Sequence, residues 1–193
     1  EAVIRSEFLL DEGDPFNNLK LEQSIAKIKA RNIFGSVTKK VTNSINKDLK
    51  IIEIEVEEKP TGEISAGAGV GTNGGSFAFT VSENNWLGKG IGISTNIDVS
   101  KETFTGGFSL SDPNYNFSGN ALTYFVSNTS NKKTESGYKN NVIATGIGTK
   151  FEQYKDVYIS PNITLTYDDL KVASTASKSL QTQKGTFTDL SFD

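Results

Sequence analysis

Residues 60–110 read PTGEISAGAGVGTNGGSFAFTVSENNWLGKGIGISTNIDVSKETFTGGFSL, and the reading of this stretch decides the fold. Between residues 90 and 100, Ile91, Ile93, Thr95, Ile97 and Val99 fall on one face, while Gly92, Ser94, Asn96, Asp98 and Ser100 fall on the other. A period of two is the signature of a strand. The same alternation marks Ile64, Ala66, Ala68 and Val70, then Phe77, Phe79 and Val81, then Phe104, Phe108 and Leu110. Turns rich in Asn, Gly and Lys separate the segments, so the stretch predicts four antiparallel strands joined in chain order.

Two environments produce such strands: a core on one side and water on the other, or lipid on one side and a polar lumen on the other. Periodicity does not separate them. The polar rows are mostly small and uncharged (Ser65, Gly67, Gly69, Ser76, Thr80, Gly92, Ser94) where a water-facing row usually carries Lys and Glu. That suits a barrel wall and leaves a soluble sandwich as the competing architecture.

Composition removes several function classes. The 193 residues carry a net charge of −3 with the basic residues dispersed, unlike a nucleic-acid surface, which concentrates them in a patch. No apolar run approaches the length of a membrane-spanning helix. Cysteine, histidine and methionine are absent, which removes thiol nucleophiles, Ser-His pairs and the usual zinc ligands. The expectation is a protein that is not an enzyme and takes no metal or cofactor. A start without Met, inside a helical period, predicts a piece of a longer chain.

The first sixty residues differ in character. Ile4, Phe8 and Leu9 form an apolar stripe that predicts a helix over 2–10, with Gly13 as its stop. Leu21, Ile25 and Ile28 predict a second helix over 19–32, capped by Asn17 or Asn18. After Gly35 the period becomes two, with Val37 and Val41 in one strand and Ile52, Ile54 and Val56 in the next, joined by the NSINKD hairpin. This gives a helix-helix-strand-strand α+β unit that lacks a first strand, expected before Glu1.

VIRSEFLLDEGDPFNNLKLEQSIAKIKARNIFGSV, IIEIEVEEKPTGEISAGAGVGTNGG, ENNWLGKG and LSDPNY, in this order, resemble the outer-membrane protein assembly factor BamA family. The resemblance is specific from Val3 to Tyr115 and weak beyond Asn128; the family's later Arg-Gly-Phe/Tyr loop motif does not occur. It implies an N-terminally truncated periplasmic repeat of the polypeptide-transport-associated (POTRA) type over 1–59. An up-and-down transmembrane β-barrel segment of about eight strands would follow over 60–193. It further implies an insertase of the outer membrane that folds client barrel proteins by strand templating at a lateral seam. The implied partners are unfolded outer-membrane proteins, accessory assembly lipoproteins at the repeat, and outer-membrane lipid. The templating edge would be Gly62, Glu63, Ile64, Ser65, Ala66, Gly67, Ala68, Gly69, Val70 and Gly71. A polypeptide-secreting transporter of the same superfamily and a soluble β-rich binding module remain as alternatives.

Within the barrel segment, later strands are expected over 118–126, 142–151, 157–167 and 185–192. The polar stretches 127–140 and 168–185 read as long external loops, and Trp86, Tyr115, Phe117, Tyr154 and Tyr158 as a rim of interfacial aromatics. Gly67 to Gly71 superficially matches a phosphate-cradling loop, but such a loop must open a helix, and here a turn into another strand follows. Asp11-Glu12-Gly13-Asp14 lacks the ligand spacing of a calcium loop and reads as a helix end. Val37, Thr38, Lys39, Lys40 and Val41 form a candidate edge strand of the repeat, either guarded by its lysines or open to an added strand.

Overall fold

The computed structural model describes residues 2–45, 48–71, 74–116, 119–155 and 157–193. It divides into two compact units: residues 1–61 together with 84–90, and residues 62–83 together with 91–193.

The first unit contains α1 (Ala2–Ser6), α2 (Asn18–Ala30), β1 (Phe34–Asn43) and β2 (Lys50–Glu58). Helix α2 starts where Asn17 accepts the Leu19 and Lys20 N–H groups, satisfying two donors that a helix N-terminus leaves free. Leu21, Ile25 and Ile28 then bury one face of the helix against Val37 of β1, with Ile4, Phe8, Val41, Ile52, Ile54 and Val56 around them. Strands β1 and β2 pair antiparallel, Val37 opposite Val56 and Val41 opposite Ile52. The connecting hairpin includes residues 46–47, which lie outside the described residues.

The helix expected over 2–10 ends at Ser6 instead. The Ser6 hydroxyl donates to the Val3 carbonyl, and the Leu9 N–H donates to buried Ser24 of α2, so side chains take over the backbone groups and the chain leaves the helical path. Gly13 is therefore not a helix stop: at φ +98 it sits in a separate turn in which the Asp14 carboxylate accepts the Asp11 N–H. The 84–90 turn belongs to this unit. Gly90, at φ +68, receives a 2.9 Å hydrogen bond from Arg31 on its carbonyl, and the same guanidinium lies 3.6 Å from Glu7.

The second unit is an antiparallel sheet of β3 (Gly62–Gly71), β4 (Gly74–Trp86), β5 (Ile91–Ser100), β6 (Thr103–Tyr115), β7 (Asn120–Lys133), β8 (Tyr138–Tyr154), β9 (Val157–Ile159), β10 (Asn162–Val172) and β11 (Gly185–Phe192). The strand order is β11-β10-β8-β7-β6-β5-β4-β3, with β9 paired to the far end of β8. The Thr72-Asn73 turn, Phe117 and Ser118 lie outside the described residues. A short helix, α3 (Lys178–Thr182), precedes β11.

Three expectations differ from the structure. The 127–140 stretch is not a loop: β7 and β8 run through it in register, from Ser127 opposite Ala144 to Lys133 opposite Tyr138, leaving a turn over 134–137. Uncharged polar side chains tolerate a strand as readily as a loop when neighbours complete the ladder. Asp168 and Asp169, read as a loop start, likewise lie within β10, opposite Val142 and Asn141. The strand expected over 157–167 is broken at Pro161, which has no N–H to donate. The Pro161 carbonyl accepts the Thr149 N–H, and the chain restarts as β10 against β8.

Register sorts the side chains from β5 to β11 onto two faces. One carries Ile93, Ile97 and Val99; Phe104, Phe108 and Leu110; Leu122, Tyr124 and Val126; Ile143 and Ile147; Ile163, Leu165 and Tyr167; Leu190 and Phe192. Most of these side chains are exposed, and no second sheet covers them among the described residues. A water-soluble sandwich would bury that face under another sheet. The other face carries Ser94, Asn96, Asp98, Thr105, Ser109, Thr129, Thr164 and Thr166.

On this polar face Gly146 lies directly opposite Phe125, whose ring occupies the space a side chain would fill. A Cβ at Gly146 would stand 2.4 Å from the ring and 3.0 Å from the Ile163 carbonyl. Gly146→Ala is expected to destabilise the sheet by about 1–3 kcal/mol, as overpacking does. Chemical denaturation should show Phe125→Leu in the same chain recovering part of that loss, because only the ring can move away.

Candidate functional site

The candidate site is a strand edge, and its geometry follows from one hydrogen bond. Among the described residues, β3 is the terminal strand of the sheet and pairs with β4 alone, in uninterrupted register from Gly62 opposite Glu83 to Gly71 opposite Gly74. Just before it, the Asn84 N–H donates to the Thr61 carbonyl at 3.3 Å. In an antiparallel pair, hydrogen-bonded and non-hydrogen-bonded residue pairs alternate. Glu63, Ser65, Gly67 and Gly69 therefore turn their backbone groups toward β4. Gly62, Ile64, Ala66, Ala68 and Val70 turn theirs toward the open edge.

The open-edge residues include the apolar row of the strand. Ile64, Ala66, Ala68 and Val70 stand opposite Val81, Phe79, Phe77 and Gly75, and Ile64 and Val70 remain 72% and 94% exposed. All ten residues of β3 are exposed. Small side chains thin the opposite row: a Cβ at Gly67 or Gly71 would meet nothing within 4 Å. Beside them the sheet hollows into a concavity of about 330 Å³ lined by Gly67, Gly69, Ser76, Ala78, Asp98 and Ser100 among others. The edge thus presents a regular row of amides and carbonyls unpaired among the described residues, with little side-chain bulk around it.

The glycine run lies within β3 and leads to β4 rather than to a helix, so no helix N-terminus faces it. Among the described residues, no group of three or more His, Cys, Asp or Glu is arranged to hold a metal.

The second candidate edge, Val37 to Val41, lies in β1, whose only strand partner among the described residues is β2. Val37 is buried in the core of the first unit. Lys39 is ion-paired with Glu22 of α2, and Lys40 lies 3.6 Å from Glu53 across the ladder. The two lysines are held by carboxylates, which the edge-guard reading of the sequence did not foresee. The aromatics Trp86, Tyr115 and Tyr154 do end β4, β6 and β8, three strands that run in the same direction, and Tyr158 lies in the adjoining β9. Sequence reasoning missed the backbone parity of β3, because no side-chain pattern announces which residues bond inward. It also missed the Glu7-Arg31-Gly90 cluster, whose members are far apart in the chain.

Residues 1–59 match the POTRA family, described as a surface antigen variable number repeat. Over 109 residues, 53% of this chain, the sequence is 33% identical to a Treponema pallidum (strain Nichols) protein provisionally described as an outer membrane protein assembly factor. Over 89 residues, 46% of this chain, it is 34% identical to the outer membrane protein assembly factor BamA of Neorickettsia risticii (strain Illinois). These matches span 13% and 12% of the two relatives' lengths. In fold, 98% of the chain superposes on 39% of the crystallised Haemophilus ducreyi BamA lacking POTRA domains 1–3, with a TM-score of 0.76 at 17% identity. Repeat, sheet and sequence relatives agree: the chain is similar to the BamA family of outer-membrane protein assembly factors, with a match to the POTRA family over residues 1–59 followed by antiparallel strands that share the fold of the BamA barrel.

Proposed function

We propose that this chain is part of an outer-membrane insertase in which β3 templates the strands of client barrel proteins. The observation that carries the reading is the open edge of β3, where Ile64, Ala66, Ala68 and Val70 direct unpaired backbone groups away from β4. In hydrocarbon an unpaired amide or carbonyl costs several kcal/mol, so an edge there accepts any strand able to complete it. An incoming strand adds by β-augmentation, which needs only backbone complementarity and therefore admits many client sequences. The missing side chains at Gly67, Gly69 and Gly71 lower the packing a resident partner would contribute, so exchange for a client is inexpensive. No bond is made or broken, and the driving force is the folding of the client.

The apolar face from β5 to β11 is assigned to lipid, and the POTRA repeat to the periplasm. The open side of β1 is assigned to accessory assembly lipoproteins, which would add a strand there. The test is the folding of a denatured client barrel into vesicles, followed by its heat-modifiable electrophoretic migration. Vesicles containing the full-length protein are expected to fold the client faster than empty vesicles. Equal rates would overturn the reading.

A further inference from the structure

Above the apolar rows, β7, β8 and β10 continue as polar strands, and there the register stacks three lysines. Lys132 of β7 lies directly opposite Lys139 of β8, and Lys139 directly opposite Lys171 of β10. All three are exposed. Directly opposed like charges repel across a ladder. The neutralising charge within the chain is small: Asp169 lies 3.1 Å from Lys171, and no carboxylate pairs with Lys132 or Lys139 among the described residues. The nearby Glu102 is taken by Lys133, which points to the other face, at 2.5 Å.

The ladder shares its face with the apolar rows. Lys139 is four residues beyond Ile143, and Lys171 four beyond Tyr167, on that face. Four residues of strand advance about 13 Å, or about 10 Å along the normal at the usual tilt of a barrel strand. That places the ammonium groups, on flexible stems, at the depth of lipid headgroups while the acyl chains meet Ile143, Leu165 and Tyr167. We propose that Lys132, Lys139 and Lys171 form a binding site for the phosphate of a membrane lipid headgroup. The anion relieves the repulsion along the ladder and fixes the height of β7, β8 and β10 in the bilayer. This inference rests on the assignment of the apolar face to lipid.

The experiment compares the full-length protein with a Lys132→Gln/Lys139→Gln/Lys171→Gln variant, both reconstituted in bilayers. A second control carries Lys20→Gln/Lys27→Gln/Lys29→Gln on α2. Spin-labelled phosphatidylglycerol, with an accessible phosphate charge, is measured against spin-labelled phosphatidylcholine, whose phosphate is masked by choline. The wild type and the α2 control are expected to favour phosphatidylglycerol by about tenfold or more, and the ladder variant by far less, since each lysine near an anionic surface contributes about 1 kcal/mol. Equal preference in wild type and ladder variant, with both inserted, would overturn the site while leaving the lipid-facing assignment intact. Loss of the preference on adding inorganic phosphate, but not chloride of equal ionic strength, would also overturn it by marking a site for free phosphate. Failure of the wild type to insert would remove the lipid-facing assignment and this inference with it.

Discussion

Replacing Ala66 with proline is expected to leave the sheet folded and to reduce client assembly at least tenfold, whereas Gly67→Pro is expected to destabilise the sheet itself. The two positions are neighbours, and only backbone parity separates them. Ala66 directs its N–H to the open edge, while Gly67 directs its own to Ala78 of β4. Proline has no N–H and is tolerated in strands only where the missing donor would face outward. At position 66 the ladder with β4 keeps its bonds and the template loses one donor in the middle of its row. At position 67 a ladder bond is lost and the ring meets the partner strand. Ala68→Pro should behave like Ala66→Pro, giving a period of two along β3 that no side-chain effect reproduces. Client folding rates and the chemical denaturation midpoint of each variant together read both halves of the pattern. Retained assembly in Ala66→Pro and Ala68→Pro, with the sheet folded, would mean that the edge is not the template.

Leu21→Ala is expected to unfold the POTRA repeat for a large fraction of the time. Leu21 is fully buried, and the buried apolar residues that share the first unit with it are Val3, Ile25, Ile28, Ile33 and Val37. Truncating such a leucine costs about 2–5 kcal/mol, counting the lost transfer energy and the cavity left behind. Domains of this size have little stability in reserve. Hydrogen exchange should show protection of the α2 amides falling by about thirtyfold or more. Leu19→Ala, on the same helix but 67% exposed, is expected to change protection little. Comparable losses in the two variants would show that the α2 face is not the core of the repeat.

Much of this molecule was legible from side-chain period alone. Ile64 to Val70 and Ile91 to Val99 alternate so regularly that their strands were readable almost to the residue, because each side chain states which face it occupies. Leu21, Ile25 and Ile28 likewise announced the buried face of α2. Legibility failed where the decisive partner was distant or lay in the backbone. Ser127 to Lys133 read as a loop because Ser, Asn and Thr state no face, and only pairing with residues 138–144 makes them a strand. The early end of α1 depends on Ser24, fifteen residues from Leu9. The strand that forms the candidate site was visible, but the direction of its free amides was not, since the parity of β3 is set by the bond between Thr61 and Asn84.

The most direct test of templating is a disulfide scan in the full-length protein, with a cysteine at Ser65 and single cysteines placed along the last strand of a stalled client barrel. This chain has no cysteine of its own to compete. Ser65 lies in the middle of β3, so a client strand docked on the open edge is expected to crosslink at one register and at alternate positions around it. Crosslinking of Ser65 only to the protein's own final strand, with none to the client at any position, would contradict the proposed templating.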